Sequence, residues 1–160
     1  MRVLVISVVH ANLEALTAVL ADAADDYDVV WLLGDAVGYG PDPVACVQRL
    51  LSLPLTAIPG NHDWGAIGKL DLEQFNEDAR LANLWTGERL TAAARAFLES
   101  LPETRIEAGV TLAHGSPRAP VWEYLLYASA ARVNFDYFET WLCLVGHTHV
   151  PAIFRLDGEG

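Results

Sequence analysis

The chain has one lysine, Lys69, and its ten basic residues stand against twenty-one acidic ones, for a formal net charge of −11. That deficit disfavours nonspecific binding to nucleic acid or to an anionic membrane, both of which need a field of Lys and Arg. It still admits a small phosphorylated substrate, because bound dications invert the sign of a site locally. Cysteine is scarce too. Cys46 and Cys143 sit inside apolar patterns, DPVACVQRLL and WLCLVG, with no C-x-x-C spacing, and read as two reduced core thiols. No apolar stretch approaches the roughly 20 residues of a membrane span. The run from Val3 to Val9 is interrupted by Ser7 and meets His10 and Asn12 without a cleavage-like tail. The expected setting is cytoplasmic, with no membrane partner.

What is present is globular. Hydrophobic residues make up 52% of the 160, and charged residues 19%, which fits one domain over 1–160. Val3 to Ser7, Val29 to Leu33 and Leu55 to Ile58 read as buried strands. Between them lie a helix capped by Asn12, with Leu13, Leu16 and Leu20 on one stripe, and a helix opened by Asp42-Pro43. This β-α-β-α-β order predicts an α/β fold with parallel strands and right-handed crossovers. Leu72 to Ser100 reads as helical with a break near Thr86-Gly87, and Thr91 caps the second piece. Arg105 to Glu107 and Val110 to Ala113 read as a hairpin through Ala108-Gly109. Helical stretches reach to about Trp141, and Leu142 to Val145 and Ala152 to Leu156 read as the last strands. The acidic run from Asp22 through Asp25 and Asp26 to Asp28 reads as an exposed helix end and loop.

All five histidines fall at or just past the end of an apolar run. RVLVISVV leads to His10, LTAIPGN to His62, VTLA to His114, and LCLVG to His147 and His149. VVWLLG ends in Asp35 in the same way. Open α/β sheets bind ligands beyond the strand carboxyl ends, so these groups are collected at one rim and point to a metal site. Two-metal hydrolases hold their ions roughly 3.5–4 Å apart and need a bridging carboxylate, imidazoles and a neutral oxygen ligand. Asp35, the histidines and Asn61 supply that inventory. In an extended His147-Thr-His149 segment the two imidazoles share one side, and each can reach a different ion.

The segments His10-Ala-Asn-Leu-Glu-Ala-Leu, Gly34-Asp35-Ala-Val-Gly-Tyr-Gly-Pro-Asp-Pro43, Gly60-Asn-His-Asp63, His114-Gly-Ser-Pro-Arg118 and Gly146-His-Thr-His149 together resemble the calcineurin-like metallophosphoesterases. The nearest likeness is to the small bacterial and archaeal phosphodiesterase branch, from Met1 to about Phe154. The resemblance implies a four-layer α-β-β-α sandwich with mixed, largely parallel sheets. It implies hydrolysis of phosphodiesters or phosphomonoesters by a metal-bridging hydroxide. It assigns Asp35 to both ions, His10 and His149 to the first site, and Asn61, His114 and His147 to the second. His62 becomes the acid that protonates the leaving oxygen or holds the phosphoryl group, and Asp63 orients its ring. Arg118 has two readings, a contact to a substrate phosphate or a surface ion pair. Ligands of these types suit Mn, Fe, Zn or Ni, one or two per chain.

Two departures stand out. The family opens with Asp-x-His, and this chain reads Val8-Val9-His10, so the first site lacks an anionic ligand. Its expected states are a weak first ion, a one-metal protein, or a catalytically silent scaffold of the same fold. The family also continues past the Gly-His-Thr-His loop with further strands, whereas this chain stops at Gly160. That leaves the second sheet short at the C-terminus, or residues missing, and a homo-oligomer would cover the open edge.

Overall fold

A computed structural model describes residues 1–24 and 26–156. Strands β1 (Val3–Ile6), β2 (Val29–Leu33) and β3 (Leu55–Ile58) form a parallel sheet in that order. Val3 pairs with Val29, and Val30 with Leu55. Helices α1 (Leu13–Asp22) and α2 (Pro43–Leu51) are the crossovers. Asn12 caps α1 by accepting from the Ala15 N–H at 2.9 Å. Asp42 makes no such side-chain bond, and Pro43 alone presets the first turn of α2. The second sheet pairs β4 (Arg105–Glu107) antiparallel with β5 (Val110–Leu112), and β5 parallel with β6 (Leu142–Leu144).

Side chains of a strand alternate between faces, and β2 shows why two sheets stack here. Val30 and Leu32 pack with Leu16, Leu20, Val47 and Leu50 on the helix side. Trp31 and Leu33 pack with Ile58, Val110 and Leu112, which belong to both sheets. Helix α6 (Ala128–Asn134) lies beyond the second sheet, where Ala131 and Phe135 share an apolar groove with Leu142, Cys143 and Leu144. The expected layering, helices on sheet on sheet on helix, is present. Both cysteines are free thiols, and burial pushes Cys46 up to about 11 and Cys143 up to about 12. No helix among the described residues is long and apolar enough to cross a membrane.

Several boundaries differ from the sequence expectation. Helix α3 (Asn61–Ala66) follows β3 directly and was not anticipated. Residues 72–74 form only a 3-10 turn, and α4 (Glu77–Arg89) starts after Asn76, which caps it. The expected break at Thr86-Gly87 is absent. Gly87 is where α4 touches the chain above it, since a Cβ there would lie 2.5 Å from the Ala66 carbonyl oxygen. The real break follows at Leu90, and Thr91 caps α5 (Ala92–Ser100) as expected. Ala152 to Leu156 is not a strand. It finds no ladder partner, and Ala152, Ile153 and Phe154 instead line the groove beside α6 and β6. In the acidic run, Asp26 and Asp28 pair with Arg2, while Asp25 lies outside the described residues.

Candidate metal centre

Each strand delivers its polar residues just beyond its carboxyl end, and the backbone there is strained. His10, Asp35, His147 and His149 have φ of 50°, 55°, 61° and 54°. Non-glycine residues are uncommon in this left-handed region and cost about 1–3 kcal/mol each, so they persist where the surroundings over-determine them. The loops after β1 and β2 do so by bonding to each other. The N–H groups of Val8, His10 and Ala11 donate to the carbonyls of Gly34, Asp35 and Ala36 at 3.1, 2.9 and 3.0 Å. His147-Thr-His149 is therefore not extended. Its two imidazoles still diverge to separate clusters, by paired left-handed turns rather than by strand alternation.

One cluster is built on His114, which is fully buried. Its Nδ1–H donates to the Leu33 carbonyl at 2.6 Å, which leaves the Nε2 lone pair facing inward. That lone pair lies 3.2 Å from Asp35 Oδ2, 3.2 Å from Asn61 Oδ1 and 3.2 Å from His147 Nδ1. Ligands at about 2.0 Å in a tetrahedron would stand about 3.3 Å apart; the three separations from Nε2 match that edge, and Asp35, His114 and His147 hold ligand atoms within 4.8 Å of one another, as a group that could hold a metal ion does. Buried acceptors this close need a cation or a proton on His114 Nε2 between them, since unpaired ones are costly.

The other cluster is thinner. His10 Nδ1 lies 3.3 Å from the Val37 carbonyl, and its Nε2 lies 3.6 Å from Asp35 Oδ2 and 3.4 Å from His149 Nε2. His10, Asp35 and His62 also hold ligand atoms within 4.8 Å of one another. Asp35 Oδ2 thus serves both clusters, while its Oδ1 accepts the His62 N–H at 2.9 Å. Val8 brings no donor atom to this side.

The electrostatics follow from the crowding. Burial alone would raise Asp35, but the surrounding imidazoles, His114 foremost, outweigh it and hold the carboxyl well below its usual range. Burial alone would lower His114, and the Asp35 carboxylate beside it outweighs that and raises it. Burial lowers His62 to about 4 and His147 to about 4. His10 is lowered by burial as well, against Asp35.

His62 and Asp63 stand at the start of α3, and here the geometry departs from expectation. Asp63 is at the third helical position, which turns its carboxylate back to accept the Gly60 N–H at 2.8 Å, and the Val37 N–H at 3.1 Å. It holds two loops together rather than the His62 ring. The ring's partner is Asn83 on α4, whose Nδ2 lies 3.4 Å from His62 Nδ1. Arg118 forms an ion pair with Glu123 through both Nε and Nη2. Glu123 also accepts from Ser116 Oγ at 2.5 Å and from Asn134 Nδ2 at 2.9 Å.

Sequence reasoning missed Asn83, which carried no motif, and two tyrosines. Tyr39 lies against His62 and His10, with ring centroids 4.5 and 5.0 Å away. Tyr124 stacks on His147 at 4.0 Å. The Gly38-Tyr39-Gly40 spacing was the one available signal for Tyr39, since paired glycines let a loop press close.

Comparison with known proteins agrees with the geometry. An uncharacterized protein of Methanocaldococcus jannaschii is 39% identical over 161 residues, covering 97% of this chain and 65% of its own length. The crystal structure of a metallophosphoesterase from Sphaerobacter thermophilus superposes with a TM-score of 0.83 at 53% identity, covering 94% of this chain and 62% of that one. A hypothetical protein of Pyrococcus horikoshii shares the fold, with a TM-score of 0.76 at 21% identity over 94% of this chain and 70% of that one. The chain therefore spans about two thirds of the length of these relatives. The profile of the calcineurin-like phosphoesterase superfamily domain matches residues 1–159, a span that contains every ligand-bearing loop described above, and the chain belongs to that superfamily.

Proposed function

We propose that this chain is a metal-dependent phosphoesterase that hydrolyses phosphodiesters or phosphomonoesters of small molecules. The observation that carries the reading is the set of acceptors around His114 Nε2, three of them at 3.2 Å. Asp35, Asn61, His114 and His147 would hold one divalent ion, and His10, Asp35 and His149 would hold the other more weakly because Val8 supplies no carboxylate. Mn, Fe, Zn and Ni all suit this donor set. Bound ions would polarise the phosphoryl oxygens and lower the pKa of the attacking water.

The chain's own residues do the rest. Asp35 fixes the spacing of the two clusters through a single oxygen. His62 stays neutral, and with Asn83 donating to Nδ1 its proton sits on Nε2. From there it hydrogen-bonds the phosphoryl group or passes the proton to the departing ester oxygen. Asp63 holds the Gly60 and Val37 loops and so sets where His62 stands. The test is turnover of a generic aryl phosphodiester with added Mn²⁺, expected in the parent and lost in His62→Ala. Absence of turnover with Mn, Fe, Zn and Ni, in protein shown to be folded, would overturn the reading.

Val8 favours a second reading, a catalytically silent scaffold that keeps the fold and one ion. It requires close to one metal per chain by elemental analysis and no turnover with any metal. Retention of His62, which no scaffold needs, favours the enzyme.

A further inference from the structure

The metal centre is ringed by aromatic side chains and not by cations. Tyr39 and Tyr124 each rest on a histidine of the centre and turn the remainder of the ring to solvent, with exposures of 51% and 54%. Tyr39 is held there by a left-handed backbone at φ 59°, a conformation a bulky residue adopts only when its surroundings impose it. The imposition comes from the loop's glycines, which bring it against His62 and the His10 and Ala11 carbonyls. Phe75 continues the ring of aromatics, edge-on to His62 at 5.4 Å, and Trp122 lies 4.8 Å from Phe75.

Among the described residues, no lysine or arginine bonds or ion-pairs with any ligand of the two clusters or with His62. The nearby cation Arg118 is already engaged by Glu123. Charge on a substrate beyond the reacting phosphate therefore finds no partner, whereas a flat ring finds two half-exposed tyrosine rings beside the centre. Stacking needs only a π-face and tolerates many rings.

We propose that Tyr39 and Tyr124 are the walls of a ring-binding subsite beside the metal centre, which selects phosphoesters carrying a planar ring next to the reacting phosphate. This rests on the phosphoesterase reading and specifies its substrate class. The ring is a nucleobase or a simpler aromatic group, and the two are separated by experiment.

The experiment uses the metal-loaded chain and three singly charged competitors whose phosphorus carries no ester bond and so resists hydrolysis: the methylphosphinates bearing an ethyl, a phenyl and a 5′-deoxythymidin-5′-yl group. Each is titrated against hydrolysis of bis(4-nitrophenyl) phosphate, and binding is followed in parallel by calorimetry. A ring-bearing competitor is expected to bind about 5- to 140-fold more tightly than the ethyl compound, the range typical of one stacked ring. Tyr39→Leu and Tyr124→Leu should each shrink that gap with metal content and melting temperature unchanged, while Tyr39→Phe keeps it. The gap should also survive a several-fold rise in salt, as ion pairing would not. Tightest binding by the thymidine compound assigns the ring to a nucleobase, and tightest binding by the phenyl compound assigns it to a simpler aromatic. Equal binding of all three, or a gap that persists in both leucine variants, would overturn the subsite. Loss of catalysis with the calorimetric gap intact would count against the phosphoesterase reading alone.

Discussion

Asn83 Nδ2 lies 3.4 Å from His62 Nδ1, and both side chains are buried. The two come from different helices, so the contact fixes the ring from behind while its other nitrogen stays free. In a neutral imidazole an accepting Nδ1 leaves the proton on Nε2. Replacing Asn83 with leucine keeps the volume roughly but removes the donor. The expected outcome is a fall in kcat of about 10- to 100-fold, the usual cost of losing an orienting partner, with KM and metals per chain unchanged. Parallel kinetics and elemental analysis check it. A fall in metal content would mean that Asn83 supports assembly of the centre instead.

Val8 is a β-branched residue at φ 51°, a conformation in which aspartate is several-fold enriched and valine is an outlier. Val8→Asp therefore restores a carboxylate to the weaker cluster and suits the backbone better. Repulsion from Asp35 opposes the second gain when no metal is bound. The metal-free variant is expected to melt close to the parent, and the metal-loaded variant above it. Metals per chain should rise toward two. Elemental analysis and melting with and without chelator decide the matter; flat metal content would show that the missing carboxylate was not limiting.

The pairing of strands, the crossovers and the gathering of Asp35 and the histidines at one rim were legible because each rests on a local signal. Continuous apolar runs mark buried strands, and polar residues just past them mark the carboxyl ends. The residues that escaped notice act across the fold. Asn83 meets His62 only because α4 packs on α3, and α3 itself is too short to show a helical stripe. Gly87 looked like a helix breaker, yet its role is to let Ala66 approach α4. Asp63 was placed against the His62 ring by motif, whereas its position in the first turn of α3 commits it to Gly60 and Val37. Tertiary packing overrode local preference in each case.

The titrations give a signed pH dependence for the metal-free protein. His62 and His147 are lowered to about 4 by burial, and His10 is lowered as well. These groups stay neutral in the fold while the unfolded chain takes up protons near pH 6.5, so stability is lost as pH falls from about 6.5 toward 4. His114, raised beside Asp35, and Asp63, raised to about 7 by burial, work the other way, as two groups against three. The two sets nearly offset each other in the parent, so the expectation is read in Asp63→Asn, which removes one opposing group: its urea midpoint should be lower at pH 5 than at pH 7, by more than the parent's. Added metal should give the parent a fall of its own, because protons compete for the same nitrogens. A midpoint in Asp63→Asn that is the same at pH 5 and pH 7 would mean that the three imidazoles are solvated as in the unfolded chain.

Gly38 and Gly68 separate close packing from backbone strain. Both have positive φ, 94° and 80°. A Cβ on Gly38 would stand 2.6 Å from His62 Nδ1, whereas one on Gly68 would meet nothing within 4 Å. Gly68→Ala carries only the left-handed penalty, about 1–2 kcal/mol. Gly38→Ala carries that penalty and must also push the loop off His62, taking Tyr39 with it. It is expected to lower the urea midpoint further than Gly68→Ala and to depress turnover by an order of magnitude or more, while Gly68→Ala leaves turnover as it was. Equal losses in the two variants would mean that the loop yields freely, and that its close approach to His62 contributes nothing to either stability or catalysis.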